Sequence, residues 1–267
     1  MADKVRYLLP DKGVLDSATL VVSLVASTES SGLPPRNVQD EHIRKVYRGS
    51  SDRLSEYLRY RFAAATTLNT LFIGKHNFTK NAIVLWQGNT TSNFATPALS
   101  YQIGVATDSR GNVISHLAYF WSTVPTSYAH WRLHIKDSGN ATTNLEVGRI
   151  MGGRYDEPTR DIRDGFTREL VDPSRITKTA GQQGYPNVKR KYTQITYRVG
   201  GMSELMDDTM YGVYNEVGTS TPFVLALNPE TEPIKETYYG MFEGNLRRVH
   251  RVGAFHDLEP LTFSEKL

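Results

Sequence analysis

Carboxylates are the first side chains whose spacing invites a chemical reading. Glu204 stands near Asp207-Asp208, and Asp156-Glu157 near Asp161 and Asp164. A glycosidase needs two such groups converging across a cleft, one of them kept protonated by a raised pKa. Nothing in these spacings makes two of them converge. Glu204, Asp207 and Asp208 fall in the first turns of a predicted helix, where negative charge complements the dipole. His130 and His134 are spaced like half a zinc motif, a geometry that works on a helix. On a strand rising about 3.3 Å per residue they stand roughly 13 Å apart, and the flanking residues alternate as a strand does. A serine nucleophile lacks its Gly-x-Ser-x-Gly elbow, and no glycine-rich loop runs into Lys-Ser/Thr to cradle a phosphate. Gly148, Gly152 and Gly153 open no helix for a dinucleotide. Cysteine is absent, which removes disulfides, thiolate zinc sites, iron–sulfur clusters and cysteine nucleophiles. The chain is read as a non-enzyme, with no catalytic residue, no metal and no cofactor.

Aromatic side chains offer a second chemistry. There are 15 Tyr, 10 Phe and 3 Trp. Trp86 ends a predicted strand beside the polar stretch 87–93, and Trp121 ends another. An exposed ring next to amide side chains stacks on a sugar, so Trp86, Asn89 and Trp121 are candidate glycan or interface contacts. A Trp in an all-β chain is more often core or interface, and that alternative stands beside the first. Asn77, Asn89 and Asn140 each open an Asn-x-Thr pattern. With no secretory leader read in the sequence, they are expected to be turn residues.

The elements that must position these groups show mainly period two. Leu58, Tyr60 and Phe62 alternate with Tyr57, Arg59 and Arg61, and Trp131, Leu133 and Ile135 with Arg132, His134 and Lys136. One face packed and one wet is the pattern of an antiparallel sheet. Further apolar runs at 68–73, 82–86, 101–106, 117–121 and 145–151 are separated by Asn, Ser, Thr and Gly. Strands at that spacing predict a β-sandwich rather than a βαβ fold. After Gly152-Gly153 the character changes, and new strand-like runs lie at 166–171, 188–199, 222–227, 237–242, 246–252 and 258–263. One helix interrupts them. Ser203 is its cap, Leu205, Met206, Met210, Val213, Tyr214 and Val217 recur at helical spacing, and Gly218 is its stop. The fold class is all-β: an arm at 1–17, a sandwich at 18–153 and a second β-rich domain with one short helix at 154–267.

The formal charge of +3 is mild. Its densest runs, Lys189-Arg190-Lys191 with Arg198 and Arg247-Arg248 with Arg251, lie in predicted strands whose neighbours point to opposite faces. They are read as solvated faces or subunit contacts, and no nucleic-acid partner is expected. No apolar run approaches the roughly 20 residues that cross a bilayer, so neither a signal peptide nor a membrane partner is expected.

Val25-Ala26-Ser27-Thr28-Glu29, the segment 33–40 (Leu-Pro-Pro-Arg-Asn-Val-Gln-Asp) and Lys45-Val46-Tyr47-Arg48-Gly49 resemble the opening of a discoidin-type, galactose-binding-like sandwich. The segments 71–78, 130–135 and 145–152 resemble its middle, late and closing strands. The variant is similar to one in bacteriophage tail-tip or baseplate (distal tail-like) proteins. There a second β-rich domain follows, to which Asp164-Gly165-Phe166, Val171-Asp172-Pro173-Ser174, 181–185, 222–229 and 258–265 bear a likeness. The resemblance implies a galactose-binding-like jelly roll, a tail-assembly role for 154–267, and a ring-forming virion protein joining tail tube, hub and fibres. It implies a homo-oligomer placed in the virion tail after assembly in the host cytoplasm. No acidic cluster matches the calcium site of sugar-binding relatives, and no cysteine pair closes the domain. Sugar binding is thus not carried over residue by residue, and a host glycan stays the alternative partner, through a carbohydrate-binding module for host-surface attachment.

Overall fold

Leu58, Tyr60 and Phe62 are buried while Arg59 and Arg61 reach solvent, and Trp131, Leu133 and Ile135 are buried in the same alternating way. In this computed structural model the described residues are 5–10, 15, 20–50, 55–120, 126–142, 144–158, 162–178, 184–199, 204–250 and 256–266. They divide into two units, one formed by 3–157 with 223–237 and the other by 158–222 with 238–267. Trp121, Asp161 and Ser203 lie outside the described residues, as do the side chains of Asp164, Glu204, Leu205, Met206, Asp207 and Asp208.

The first unit begins with β1 (Arg6–Leu8), β2 (Val21–Ala26), β3 (Tyr47–Arg48), β4 (Ser55–Leu68), β5 (Thr70–Ile73) and β6 (Ile83–Asn89). It continues with β7 (Leu99–Ile103), β8 (Leu117–Phe120), β9 (Thr126–Lys136), β10 (Glu146–Val147) and β11 (Ile150–Gly153). A five-stranded sheet of order β2-β4-β9-β6-β7 packs on a three-stranded sheet of order β11-β5-β8, and β3 pairs with β10. All of these pairings are antiparallel. The core between the sheets draws Leu58, Tyr60, Val84, Trp86, Trp131 and Leu133 from one layer and Leu71, Ile73, Leu117 and Ile150 from the other. This is the antiparallel sandwich that the alternation predicts.

Within the expected arm, β1 carries Tyr7 and Leu8 with no exposed surface. In the second unit follow β12 (Ile162–Val171), β13 (Arg175–Lys178), β14 (Gly184–Asn187), β15 (Tyr192–Val199) and α1 (Glu204–Val217). The chain then re-enters the first unit through β16 (Phe223–Ala226), which pairs antiparallel with β1, Tyr7 opposite Leu225. It closes the second unit with β17 (Thr237–Glu243), β18 (Arg248–His250), β19 (His256–Leu258) and β20 (Leu261–Glu265). There β17, β20, β15 and β12 lie side by side in that order.

Met210, Val213 and Val217 bury one stripe of α1, the spacing of a helix face. Gly218 ends it at φ 51°, the left-handed region a side chain avoids, with its N–H donating to the Tyr214 carbonyl at 2.7 Å. One strand boundary differs from expectation. The run at 188–199 becomes a strand only from Tyr192, because Lys189 instead exchanges hydrogen bonds with Ser174, its N–H donating to Oγ at 2.9 Å. Lys189-Arg190-Lys191 therefore lies in a loop, not on a strand. The β13–β14 hairpin was not anticipated. Every described residue of its first strand is exposed, and a ribbon wet on both faces has no alternation to read.

Candidate functional site

The outward face of the five-stranded sheet collects side chains that sequence order keeps apart. Antiparallel register sets Arg59 of β4 opposite Arg132 of β9, and Arg132 opposite Gln87 of β6. The next outward row is Ser23, Arg61, His130 and Asn89. Tyr57, His134 and Leu85 form a third. Like charges directly opposite one another on a sheet repel, and Arg59 faces Arg132 in this way.

The sheet holds this repulsion by fixing one of the two guanidiniums. Arg132 donates from Nε and Nη2 to the Gln87 Oε1 at 2.9 and 2.6 Å, and from Nη2 to the Phe94 carbonyl at 3.2 Å. Its guanidinium also lies 4.5 Å from the centre of the Phe94 ring, a cation–π contact. Arg59 makes one long bond, from Nη1 to the Ser92 carbonyl at 3.4 Å. Among the described residues, neither Arg59, Arg61, Arg132 nor Lys136 has a carboxylate partner.

Ser23, Arg59, Arg61, Ser92 and His130 line a cavity of about 430 Å³ on this face, within the roughly 300–1,000 Å³ of ligand pockets. Burial, and then the charges of Arg61 and Arg59, pull the His130 imidazole below its ordinary pKa. Its Nδ1 is buried without a hydrogen-bond partner among the described residues. Burial likewise lowers the pKa of His134, with Arg132 and Lys136 adding to the shift. Both rings are held neutral near pH 7 beside fixed cations. Arginine charge and uncharged imidazole rings thus share one face of the sheet.

The anticipated contacts sit elsewhere. Trp86 points inward with no exposed surface, because it is one residue out of phase with Gln87 and faces the core. Its ring has no free face for a sugar, which corrects the expectation of a glycan platform there. Asn89 does point outward, but its side chain is spent on its own turn: Nδ2 donates to the Asn93 carbonyl and Oδ1 accepts from the Thr90 N–H at 2.9 Å. Asn77 bridges Thr142 Oγ1 at 3.1 Å and the Asn144 carbonyl at 2.7 Å, and Asn140 donates to the Asn77 carbonyl at 3.0 Å. These asparagines hold turns, as expected. Glu157 accepts from Arg6 at 2.6 Å, and Asp156 exchanges both backbone bonds with Tyr7, so this acidic pair braces β1. His130 and His134 both lie on β9. Among the described residues no three His, Asp or Glu side chains gather as a metal site.

Sequence reasoning passed over Arg59, Arg61, Ser23 and Ser92. The alternating Arg59 and Arg61 were visible, but what makes them a site is the pairing of β4 with β9, which period two does not encode.

No family model matches the chain, and no curated protein matches it in sequence. Solved structures align with about half of it. The family 32 carbohydrate-binding module of Clostridium perfringens NanJ, in complex with galactose, is 12% identical, covering 57% of this chain and 99% of its own at a TM-score of 0.38. Chitosan-binding module 1 of a chitosanase/glucanase from Paenibacillus sp. IK-5 is 11% identical, with 51% and 97% covered at 0.37. A fucose-binding module of Streptococcus pneumoniae, SpX-3, is 12% identical, with 52% and 97% covered at 0.37. These three are carbohydrate-binding modules; at such scores none of their ligands is carried over to this chain.

Proposed function

We propose that this chain is a virion structural protein of a tailed bacteriophage, a ring-forming component of the tail tip or baseplate that links tail tube, hub and fibres. The sequence resemblance supports this reading, and its ring-forming part rests on exposed apolar side chains of the second unit. Ile176, Tyr185 and Val188, on the β13–β14 hairpin or just after it, are 69%, 58% and 79% exposed, and Leu170 on β12 is 67% exposed. A two-stranded ribbon is marginal alone in water, and exposed apolar side chains on both of its faces leave surface for a partner to cover. The same unit ends in β12, an edge strand whose outer rim is unpaired among the described strands. Edges of this kind template pairing with a further chain. A second copy of this chain is the occupant assigned to the ribbon, since head-to-tail contacts that join the ribbon of one copy to a different patch of the next close into a ring.

Sedimentation and negative-stain imaging of the purified chain test the reading. Closed rings are expected, falling to monomers when Ile176→Asp and Val188→Asp are combined. A wild-type protein that stays monomeric at every concentration refutes it.

The second reading, a carbohydrate-binding module for host-surface attachment, is favoured by the lined cavity on the sandwich. A glycan array with no hits dismisses it, whatever the oligomeric state.

A further inference from the structure

We infer that the cavity on the outer sheet face binds an acidic saccharide, gripping its carboxylate, sulfate or phosphate group between Arg59 and Arg61. This deepens the carbohydrate-binding reading and rests on it. Arg132 is already held by Gln87 and the Phe94 carbonyl, so it supplies positive potential without needing to move. Arg59 gives one long bond and Arg61 none to the described residues. Their planar forks are free to take an oxyanion in paired, charge-assisted bonds. Among the described residues, no carboxylate lines the cavity to compete.

The rest of the lining fits the remainder of a sugar. An oxyanion alone fills a small part of about 430 Å³. Ser23, Ser92 and the neutral ring of His130 offer hydroxyl and imidazole partners to sugar hydroxyls beside it. Val25, 41% exposed and opposite Arg59 on the edge strand, presents an apolar patch to the C–H face of a ring. Among the lining residues no Phe, Tyr or Trp provides the stacking platform on which single-stranded nucleic acid depends.

Dextran sulfate, polygalacturonate and neutral dextran are titrated calorimetrically against the full chain. The inference expects at least one acidic polymer to bind about tenfold or more tighter than neutral dextran, weakening as salt rises. Arg59→Gln combined with Arg61→Gln is expected to remove that preference with the thermal midpoint unchanged. The control combines Lys189→Gln, Arg190→Gln and Lys191→Gln in the other unit, and is expected to leave binding as it was. Equal loss in the control overturns the inference in favour of diffuse charge attraction. Unchanged affinity in the Arg59/Arg61 variant overturns it as well. Equal affinity for neutral dextran sinks the acidic preference while sparing carbohydrate binding. No binding of either acidic polymer overturns the inference, and glycan-array hits on neutral sugars then show whether the broader reading survives.

Discussion

Trp86 lies flat against Trp131, their ring centroids 5.4 Å apart and their planes within 16°. Tyr60 meets Trp86 edge-on at 6.3 Å, and Tyr128 meets Trp131 edge-on at 5.5 Å. The two indoles come from neighbouring strands of one sheet and form the centre of the sandwich core. They differ in one respect. Trp131 donates from Nε1 to the carbonyls of Tyr128 at 3.1 Å and Thr66 at 3.3 Å, whereas Trp86 Nε1 is buried without a partner among the described residues.

That difference predicts an ordering. Trp86→Ala leaves a large cavity and is expected to cost about 3–5 kcal/mol. Trp86→Phe removes an unsatisfied donor and is expected to cost less than Trp131→Phe, which loses two hydrogen bonds to backbone carbonyls, by roughly 1–2 kcal/mol. Urea denaturation of the three variants measures this, and a cheaper Trp131→Phe contradicts it. Any loss of glycan binding in Trp86→Ala will track unfolding, since the ring never meets solvent.

His76 sets an acid limit on the sandwich. Its ring stacks on Phe78 at 4.4 Å and its Nδ1 accepts the Phe78 N–H at 3.1 Å, so the folded state requires that nitrogen unprotonated. Burial, with the charge of His116 adding and that of Asp137 opposing, lowers the pKa from 6.5 to about 4. The unfolded chain takes up the proton near pH 6.5 and the folded chain only near 4. Stability present above pH 6.5 is therefore lost as the pH falls to about 4, by roughly 3 kcal/mol. Denaturation midpoints across this window should fall steeply for the wild type and less steeply for His76→Gln. Parallel slopes would show that another group is responsible.

Arg6 anchors β1 by charge. It is 3% exposed, bonds Glu157 at 2.6 Å and Glu230 at 3.0 Å, and lies 4.5 Å from the Tyr155 ring centre. The Glu157 side chain is 24% exposed and that of Glu230 is 52% exposed. Arg6→Met removes a counter-charge bonded to Glu157 and is expected to cost about 2 kcal/mol, below the range of a fully buried pair. Glu230→Ala, at a solvent-screened position, should cost under about 0.5 kcal/mol. Thermal melts distinguish the two, and equal effects would assign the role to Glu230 instead.

Two glycines of the second unit should respond oppositely to alanine. A Cβ at Gly240 in β17 would come within 2.0 Å of the Ser264 carbonyl oxygen on β20, a backbone atom that cannot step aside. Gly240→Ala is expected to cost about 2–3 kcal/mol and to lower amide protection in β15 and β20. At Gly212, inside α1, a Cβ meets nothing within 4 Å. Gly212→Ala is expected to stabilise by about 0.5–1 kcal/mol. Hydrogen exchange reads both, and protection moving the same way in the two variants would count against this account of α1 and β17.

What the sequence determined by itself is local and periodic. Alternation at 57–62 and 131–136 settled which face of β4 and β9 is buried, because side chains on a strand must point to opposite sides. The helix followed from the 3.6-residue recurrence of Met210, Val213 and Val217 and the glycine after them. Tertiary structure alone decided what those faces meet. Whether Arg59 stands beside Arg132, or Trp86 against Trp131, depends on which strands pair and in what register, and pairing partners within the sandwich, such as Arg48 and Glu146, lie up to about a hundred residues apart. The same holds for β1, too short to show a period, whose burial comes from β16 more than two hundred residues later. The chain's own order carries the pattern of each strand, while the choice of neighbour is made by the free energy of packing the whole core at once.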